Sequence, residues 1–199
     1  MPKYNFNGDT EPYGYPKWVS SKNLFPDIFP DLDFPDGILL KEDADMLLEH
    51  ARGKGLVVDF GTFLGLSAAI MSMVCEKVIT IDVYQKYNGY TYQQVQDLGL
   101  SKFKNVVAIE GDANIIARTF SDKVDLLFID AIHDYKNVSS NYIVWFPHVK
   151  VGGEILFHDY QAIHPDIVDF VKNEVMKDCR VKVIDKNGTI IAFEKVSEL

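Results

Sequence analysis

The chain has 199 residues, 47% of them hydrophobic and 25% charged, an ordinary globular composition that excludes a mostly disordered protein and suits one domain with a sizeable core. Twenty basic against 29 acidic side chains give a net charge of −9 with the cations scattered, so a nucleic-acid partner is not expected. No apolar run approaches the roughly 20 residues that cross a bilayer, and the opening MPKYNFNGDTEP lacks the cationic, apolar pattern of a signal peptide. The expectation is a cytoplasmic protein with no membrane partner.

Residues 1–36 differ from the rest. They hold six of the eight prolines and eight of the 25 aromatic residues, without helical or strand period. Pro12, Pro16, Pro26, Pro30 and Pro35 predict no regular structure there. Tyr13, Tyr15, Trp18, Phe25, Phe29 and Phe34 are out of place in a solvated tail, so the segment reads as an ordered arm or lid. It would pack on the body or on a partner subunit, which leaves a homo-oligomer open. Residues 37–199 form the domain proper.

The stretch LLKEDADMLLEHAR predicts a structural helix: acidic near its start, apolar at Met46, Leu47, Leu48 and Ala51, and followed by Gly53. Strand-like apolar runs recur at 56–60, 78–81, 106–109, 124–129, 154–157, 181–184 and 189–193, and helical stretches separate the first five. Such alternation predicts a Rossmann-like, doubly wound α/β sheet, mostly parallel. The last two runs are joined by Asp185-Lys186-Asn187-Gly188, whose Asn-Gly pair signals a hairpin, so one strand at or near the sheet edge is antiparallel. Cys75 and Cys179 have no metal or redox spacing and read as reduced, partly buried thiols.

Open α/β sheets bind ligands at the carboxyl ends of their strands. The first turn, VVDFGTFLGLSA, has Gly61 and Gly65, but Phe63 and Leu66 where a dinucleotide fingerprint has its second and third glycines, which argues against a pyrophosphate. The next strand, VITID, ends in Asp82, 21 residues after Gly61, where a carboxylate accepts bonds from ribose hydroxyls. Asp59 can bond turn amides or a ligand ammonium, while Thr62, Ser67 and the helix start suit a carboxylate. An adenosine ligand carrying an amino acid satisfies all of these.

On those residues the chain, from about Gly37 to its end, resembles the class I S-adenosylmethionine-dependent methyltransferases. VVDFGTFLGLSA looks like their first motif in the form used by catechol-type O-methyltransferases, and IEGDA like their adenine-side loop. The resemblance implies that Asp59, Gly61, Gly65 and Ser67 hold the methionine part of S-adenosylmethionine, with Thr62 and Phe63 alongside. Asp82, Gly111, Asp112 and Ala113 would hold the adenosine part, and Asp130 would border the donor.

FIDAIHDY and GGEILFHDY place Asp130, His133, His158 and Asp159 at the ends of neighbouring strands. Both stretches are similar to a branch of small bacterial enzymes related to the metal-dependent sugar O-methyltransferases of macrolide biosynthesis. That likeness implies Asp130 and Asp159 as oxygen ligands to Mg²⁺ or another divalent cation, His158 as a third ligand and His133 as general base. Where that branch often carries a further acidic residue, this chain has Ile132. The catalytic set would then be His133, Asp130 and Asp159, acting on a small-molecule or sugar hydroxyl, with the arm closing the pocket.

His50, His148 and His164 read as surface residues, and Val138, Tyr142 and Trp145 as a core stripe. Tyr87, Tyr90 and Tyr92 crowd the loop after the VITID strand, either bordering the acceptor pocket or packing an ordinary loop. Two alternatives stay open. One is a catalytically silent nucleoside-binding or assembly module; the other, opposed by Phe63, Leu66 and the terminal hairpin, is an NAD-dependent oxidoreductase.

Overall fold

A computed structural model of the chain describes residues 18–20, 38–84 and 89–198. In chain order the elements are β1 (Trp18–Ser20), β2 (Ile38–Leu40), α1 (Lys41–Ala51), β3 (Leu56–Phe60), α2 (Leu66–Ser72), β4 (Lys77–Asp82), α3 (Tyr92–Leu98) and β5 (Val106–Glu110). There follow α4 (Ala113–Ile116), β6 (Val124–Ile129), α5 (Tyr135–Trp145), β7 (Val149–Phe157), α6 (Pro165–Asn173), β8 (Val181–Asn187) and β9 (Ile190–Lys195).

Among the described residues the main sheet has seven strands in the order β5-β4-β3-β6-β7-β9-β8. Strands β5 to β7 run parallel, and β9 inserts antiparallel between β7 and β8. The order reverses between β3 and β6, which opens the crevice in which such sheets hold ligands. The terminal hairpin is longer than its sequence suggests. β8 continues through Asp185, Lys186 and Asn187, and the turn falls one residue later, on Gly188 at φ +56 and Thr189. Ladder bonds between the two strands outweigh the local turn preference of Asn-Gly.

Two of the predicted boundaries move for tertiary reasons. Trp18–Ser20, inside the proline-rich segment, pairs antiparallel with Ile38–Leu40, because proline restricts only its immediate neighbours and a remote partner supplies the ladder. The rest of residues 1–36, and Tyr87, lie outside the described residues. β7 begins at Val149, before the run predicted at 154–157, because Val149 pairs with Val124 ahead of a register shift.

The sheet is covered on both faces, so β6 alternates its allegiance: Leu126 and Phe128 pack with α1 and α2, Leu127 and Ile129 with α5 and α6. The stripe Val138, Tyr142 and Trp145 on α5 is buried in the second layer, as its spacing predicts. The Trp145 ring meets Phe60 edge-on at 5.1 Å, and its indole N–H donates to the Ala113 carbonyl at 3.0 Å, tying α5 to the strand ends. Cys75 and Cys179 are free thiols; Cys75 is partly buried, whereas Cys179 is exposed, since it precedes the edge strand β8. No helix among the described residues is long and apolar enough to cross a membrane.

Lys195 in β9 is fully buried, an unusual state for an ammonium. It donates to the Phe146 and Val149 carbonyls at 3.1 and 2.9 Å and to Glu198 at 2.7 Å, securing the entry to β7. Lys195→Met keeps the stem but removes the ammonium donor from both carbonyls, of which the Phe146 carbonyl keeps the Val149 amide. Its expected cost is about 1–3 kcal/mol, read as a lowered urea midpoint with an unchanged slope; an unmoved midpoint would show that the ammonium contributes nothing.

Candidate functional site

The turn after β3 is shaped by two close approaches. Gly61 sits at φ +88, and a Cβ there would lie 1.9 Å from the Asp130 carbonyl oxygen. Gly65, at φ +85, leads into α2 against the Leu100 side chain. Only glycine permits both the left-handed backbone and the contact between the ends of β3 and β6. Phe63 follows at φ +44, strained for a residue with a side chain, and its amide donates to Asp82 Oδ2 at 2.9 Å. Asp82 Oδ1 accepts from the Tyr84 amide at 2.7 Å, so the carboxylate at the end of β4 organises both loops around it.

Beneath the turn lies Asp59, fully buried in a strand covered on both faces, where an apolar side chain is the rule. Its Oδ2 accepts from Thr80 Oγ1 at 2.8 Å and Ser67 Oγ at 3.1 Å, and Thr62 in turn bonds Thr80 at 2.7 Å. Oδ1 is buried with no hydrogen-bond partner. Burial, with the negative charges of Asp130 and Asp82 adding to it, pushes the Asp59 carboxyl up to about 7 against the two hydroxyl bonds.

A cavity of about 680 Å³ opens above the turn. Gly61, Phe63, Asp82, Gly111, Asp112, Ala113, Asp130 and His133 all line it, together with Asn114, Asn137 and Asn141. Asp59, Thr62, Gly65 and Ser67 do not reach its wall; they support the turn from behind, with the Thr62 and Ser67 hydroxyls already engaged with Thr80 and Asp59. Asp112 caps α4 by accepting from the Asn114 amide at 2.8 Å. Tyr90 packs edge-on against Phe63 at 6.0 Å near the cavity, whereas Tyr92 packs against the buried Tyr84 at 5.6 Å.

At the Asp130–His133 end of the cavity the loops after β6 and β7 meet; Asp130 and His133 line the wall, whereas His158 and Asp159 stand behind it. His133 Nε2 lies 3.0 Å from Asp159 Oδ2 and 3.6 Å from Asp130 Oδ1. His158 Nδ1 lies 2.9 Å from Asp130 Oδ1 and 3.4 Å from Asp159 Oδ2. Asp159 adopts φ +54, a strained backbone held by the bonds on both sides of it. Asp130 and Asp159 push the His133 ring up to about 9 against its burial. Burial opposes charge on His158 too, but Asp130, Asp159 and Asp43 raise it well above the ordinary histidine range. Burial alone would raise Asp159, yet the two imidazoles hold it well below the usual carboxylate range. In this state His133 is an imidazolium and a proton donor. It becomes a base only when another cation answers the two carboxylates.

Several residues here escape sequence reasoning. Asp43 in α1 is buried; its Oδ1 accepts from the Thr189 amide at 2.7 Å, and its Oδ2 accepts from the Thr189 hydroxyl at 3.0 Å and faces His158 Nε2 at 3.4 Å. An acidic residue in a first helical turn is ordinary in sequence, so nothing marks it. His164, expected at the surface, lies 3.7 Å from Asp159 Oδ1 with its ring 4.7 Å from that of His133. His50, also expected at the surface, is bound to Glu154 of β7 at 2.6 Å, and His148 is packed beside Trp145. Asn137 and Asn141 share the helical stripe of Val138 and Tyr142, and their spacing of four is the one signal that could have placed them together.

The sequence pattern of a family described as a methyltransferase domain matches residues 58–160, from β3 to just past β7. The chain belongs to that family, and its sheet order and antiparallel terminal hairpin give it the class I methyltransferase fold. Among solved structures it is similar to the O-methyltransferase NovP, 14% identical, with a TM-score of 0.64 over 78% of this chain and 80% of that one. It is similar also to an rRNA methylase from Streptococcus thermophilus, 18% identical with a TM-score of 0.57 over 78% and 95% of the two chains. TomG, an O-methyltransferase from Streptomyces achromogenes in complex with SAM, is 12% identical with a TM-score of 0.58 over 78% and 80%. An uncharacterized protein of Acanthamoeba polyphaga mimivirus is 34% identical over 65 residues, which span 32% of this chain and 29% of that curated relative.

Two outcomes follow from this geometry. Because the folded state holds the Asp59 proton up to about pH 7 and the unfolded chain releases it near 3.8, this group's contribution to stability declines as pH rises between those values. Asp59→Asn should lack that decline, so the difference in melting temperature, variant minus wild type, grows from pH 5 to pH 8; a constant difference would refute the raised pKa. Gly61→Ala must displace the Asp130 carbonyl and should cost about 2 kcal/mol or more in chemical denaturation; near-neutral stability would mean the two strand ends are not packed as described.

Proposed function

We propose that the protein transfers a methyl group from S-adenosylmethionine to a hydroxyl oxygen of a small molecule or sugar. The observation that carries this reading is the single cavity whose walls join the glycine turn and Asp82 to Asp130 and His133. The residues present fit the donor: the cradle at Gly61 admits close approach, and Asp82 stands where ribose hydroxyls need an acceptor. Phe63 stands where a dinucleotide fingerprint has its second glycine, which speaks against a dinucleotide. When bound, the donor's sulfonium supplies an electrophilic methyl group.

The remaining work is positioning and proton transfer. An in-line displacement needs the acceptor oxygen aligned and its proton removed. His133, partly exposed at the cavity wall, is the group placed to take that proton, and Asp130 and Asp159 fix its ring. Asp130, His158 and Asp159 bring ligand atoms within 4.8 Å of one another and fit a divalent cation. Such a cation would lower the acceptor's pKa and relieve the charge that keeps His133 protonated. Asn137 and Asn141 offer amide donors and acceptors along the same wall. The net charge of −9 supports a small acceptor over a polyanion.

Calorimetric titration with S-adenosylhomocysteine should give micromolar binding that Asp82→Ala weakens at least tenfold, with NAD⁺ silent. Preference for NAD⁺, or no binding of the nucleoside, would end the assignment. With labelled donor and a panel of hydroxylated acceptors, His133→Gln should lower kcat by about 10²–10⁴ and leave donor affinity within threefold. An unchanged kcat would remove His133 from the mechanism.

A further inference from the structure

We propose that the cation site is built for a first-row transition metal such as Fe²⁺ or Co²⁺ in preference to Mg²⁺, with His158 ligating through Nδ1 and Asp43 as its positioning residue. The inference rests on the cation-assisted reading above and concerns which ion the chain's own residues select.

The donor set is the first ground. The three groups that converge are two carboxylates and one imidazole, Asp130 Oδ1, Asp159 Oδ2 and His158 Nδ1. From His158 Nδ1 the two oxygens lie at 2.9 and 3.4 Å, the spacing of neighbouring ligands around an ion with bonds of about 2.1 Å, which puts them about 3 Å apart. Mg²⁺ asks for a shell of oxygens, whereas imidazole suits the later first-row ions. Ile132 adds no oxygen to the set.

The second ground lies behind the imidazole. A histidine that ligates through one nitrogen is held by a hydrogen bond from the other, commonly to a carboxylate, which fixes the tautomer and the ring plane. Asp43 stands in that place. It is 1% exposed, its Oδ2 is 3.4 Å from His158 Nε2, and the amide and hydroxyl of Thr189 immobilise it. When an ion takes the place of the Nδ1 proton, the proton on Nε2 stays directed at Asp43 and the Nδ1 lone pair faces the point where Asp130 and Asp159 converge. The His158 ring also rests edge-on against Phe128 at 5.8 Å, which limits its rotation. Asp43 comes from α1, outside the matched residues 58–160, and Thr189 from the terminal hairpin. Two remote parts of the chain therefore aim one ring nitrogen.

The test is metal binding by the full-length, chelator-stripped protein, with S-adenosylhomocysteine titrated in parallel. Co²⁺ should bind at least a hundredfold more tightly than Mg²⁺ and develop visible ligand-field bands. His158→Asp, which makes the donor set all oxygen, should narrow that preference to about tenfold or less and shift the bands. Asp43→Asn should weaken Co²⁺ binding about tenfold and alter the band intensities. Equal affinity for Mg²⁺ and Co²⁺, or a preference that His158→Asp leaves intact, overturns the proposal while the cation-assisted reading survives. No ion bound, with the nucleoside still bound, overturns both and leaves methyl transfer standing.

Discussion

Five carboxylates, Asp43, Asp59, Asp82, Asp130 and Asp159, are drawn toward the carboxyl ends of one sheet, and their mutual repulsion is the constraint around which the site is built. Each is answered differently. Asp43 receives the amide and hydroxyl of Thr189. Asp59 receives two hydroxyls and keeps its proton up to about pH 7. Asp82 is bridged by the amides of Phe63 and Tyr84. Asp130 and Asp159 are neutralised by the imidazoles of His133 and His158. At buried and partly buried positions a carboxylate left unanswered would be costly to hold.

That arrangement ties chemistry to charge. The imidazole facing the cavity is protonated because the carboxylates beside it are not otherwise compensated, so its capacity to accept a proton depends on what else occupies their oxygens. In the proposed mechanism, base strength and cation binding would therefore be one equilibrium, read at two atoms of the same cluster. Among the described residues the non-glycine positions with positive φ are Phe63, Tyr84 and Asp159, each at or just beyond the carboxyl end of a strand. Strain is tolerated where neighbouring bonds over-determine the conformation, as the Asp82 carboxylate does for the amides of Phe63 and Tyr84.

The two ends of the cavity are coupled through backbone. The contact of Gly61 with the Asp130 carbonyl brings the turn that would cradle the donor against the strand end that carries Asp130, from which the loop leads to His133. Asp43 extends that coupling outward, since it joins α1 and the terminal hairpin to His158. Those elements look structural in isolation, and they gain a bearing on chemistry only through the buried carboxylate between them.

The sequence by itself determined the sheet, its covering helices and the antiparallel ending, because periodicity of apolar residues and turn chemistry act locally and are read locally. It determined also that Gly61, Asp82, Gly111-Asp112, Asp130, His133 and His158-Asp159 stand at strand ends, where an α/β sheet presents its ligands. Tertiary structure alone decided which of these face the cavity and which support it, as with Thr62 and Ser67, whose hydroxyls turn inward to Asp59 and Thr80. It alone brought Asp43, His164, Asn137 and Asn141 to the site, since their partners lie on other elements, up to 146 residues away for Asp43 and Thr189. It also set the ionisation of Asp59 and His133, because burial and neighbouring charge are properties of the packed chain.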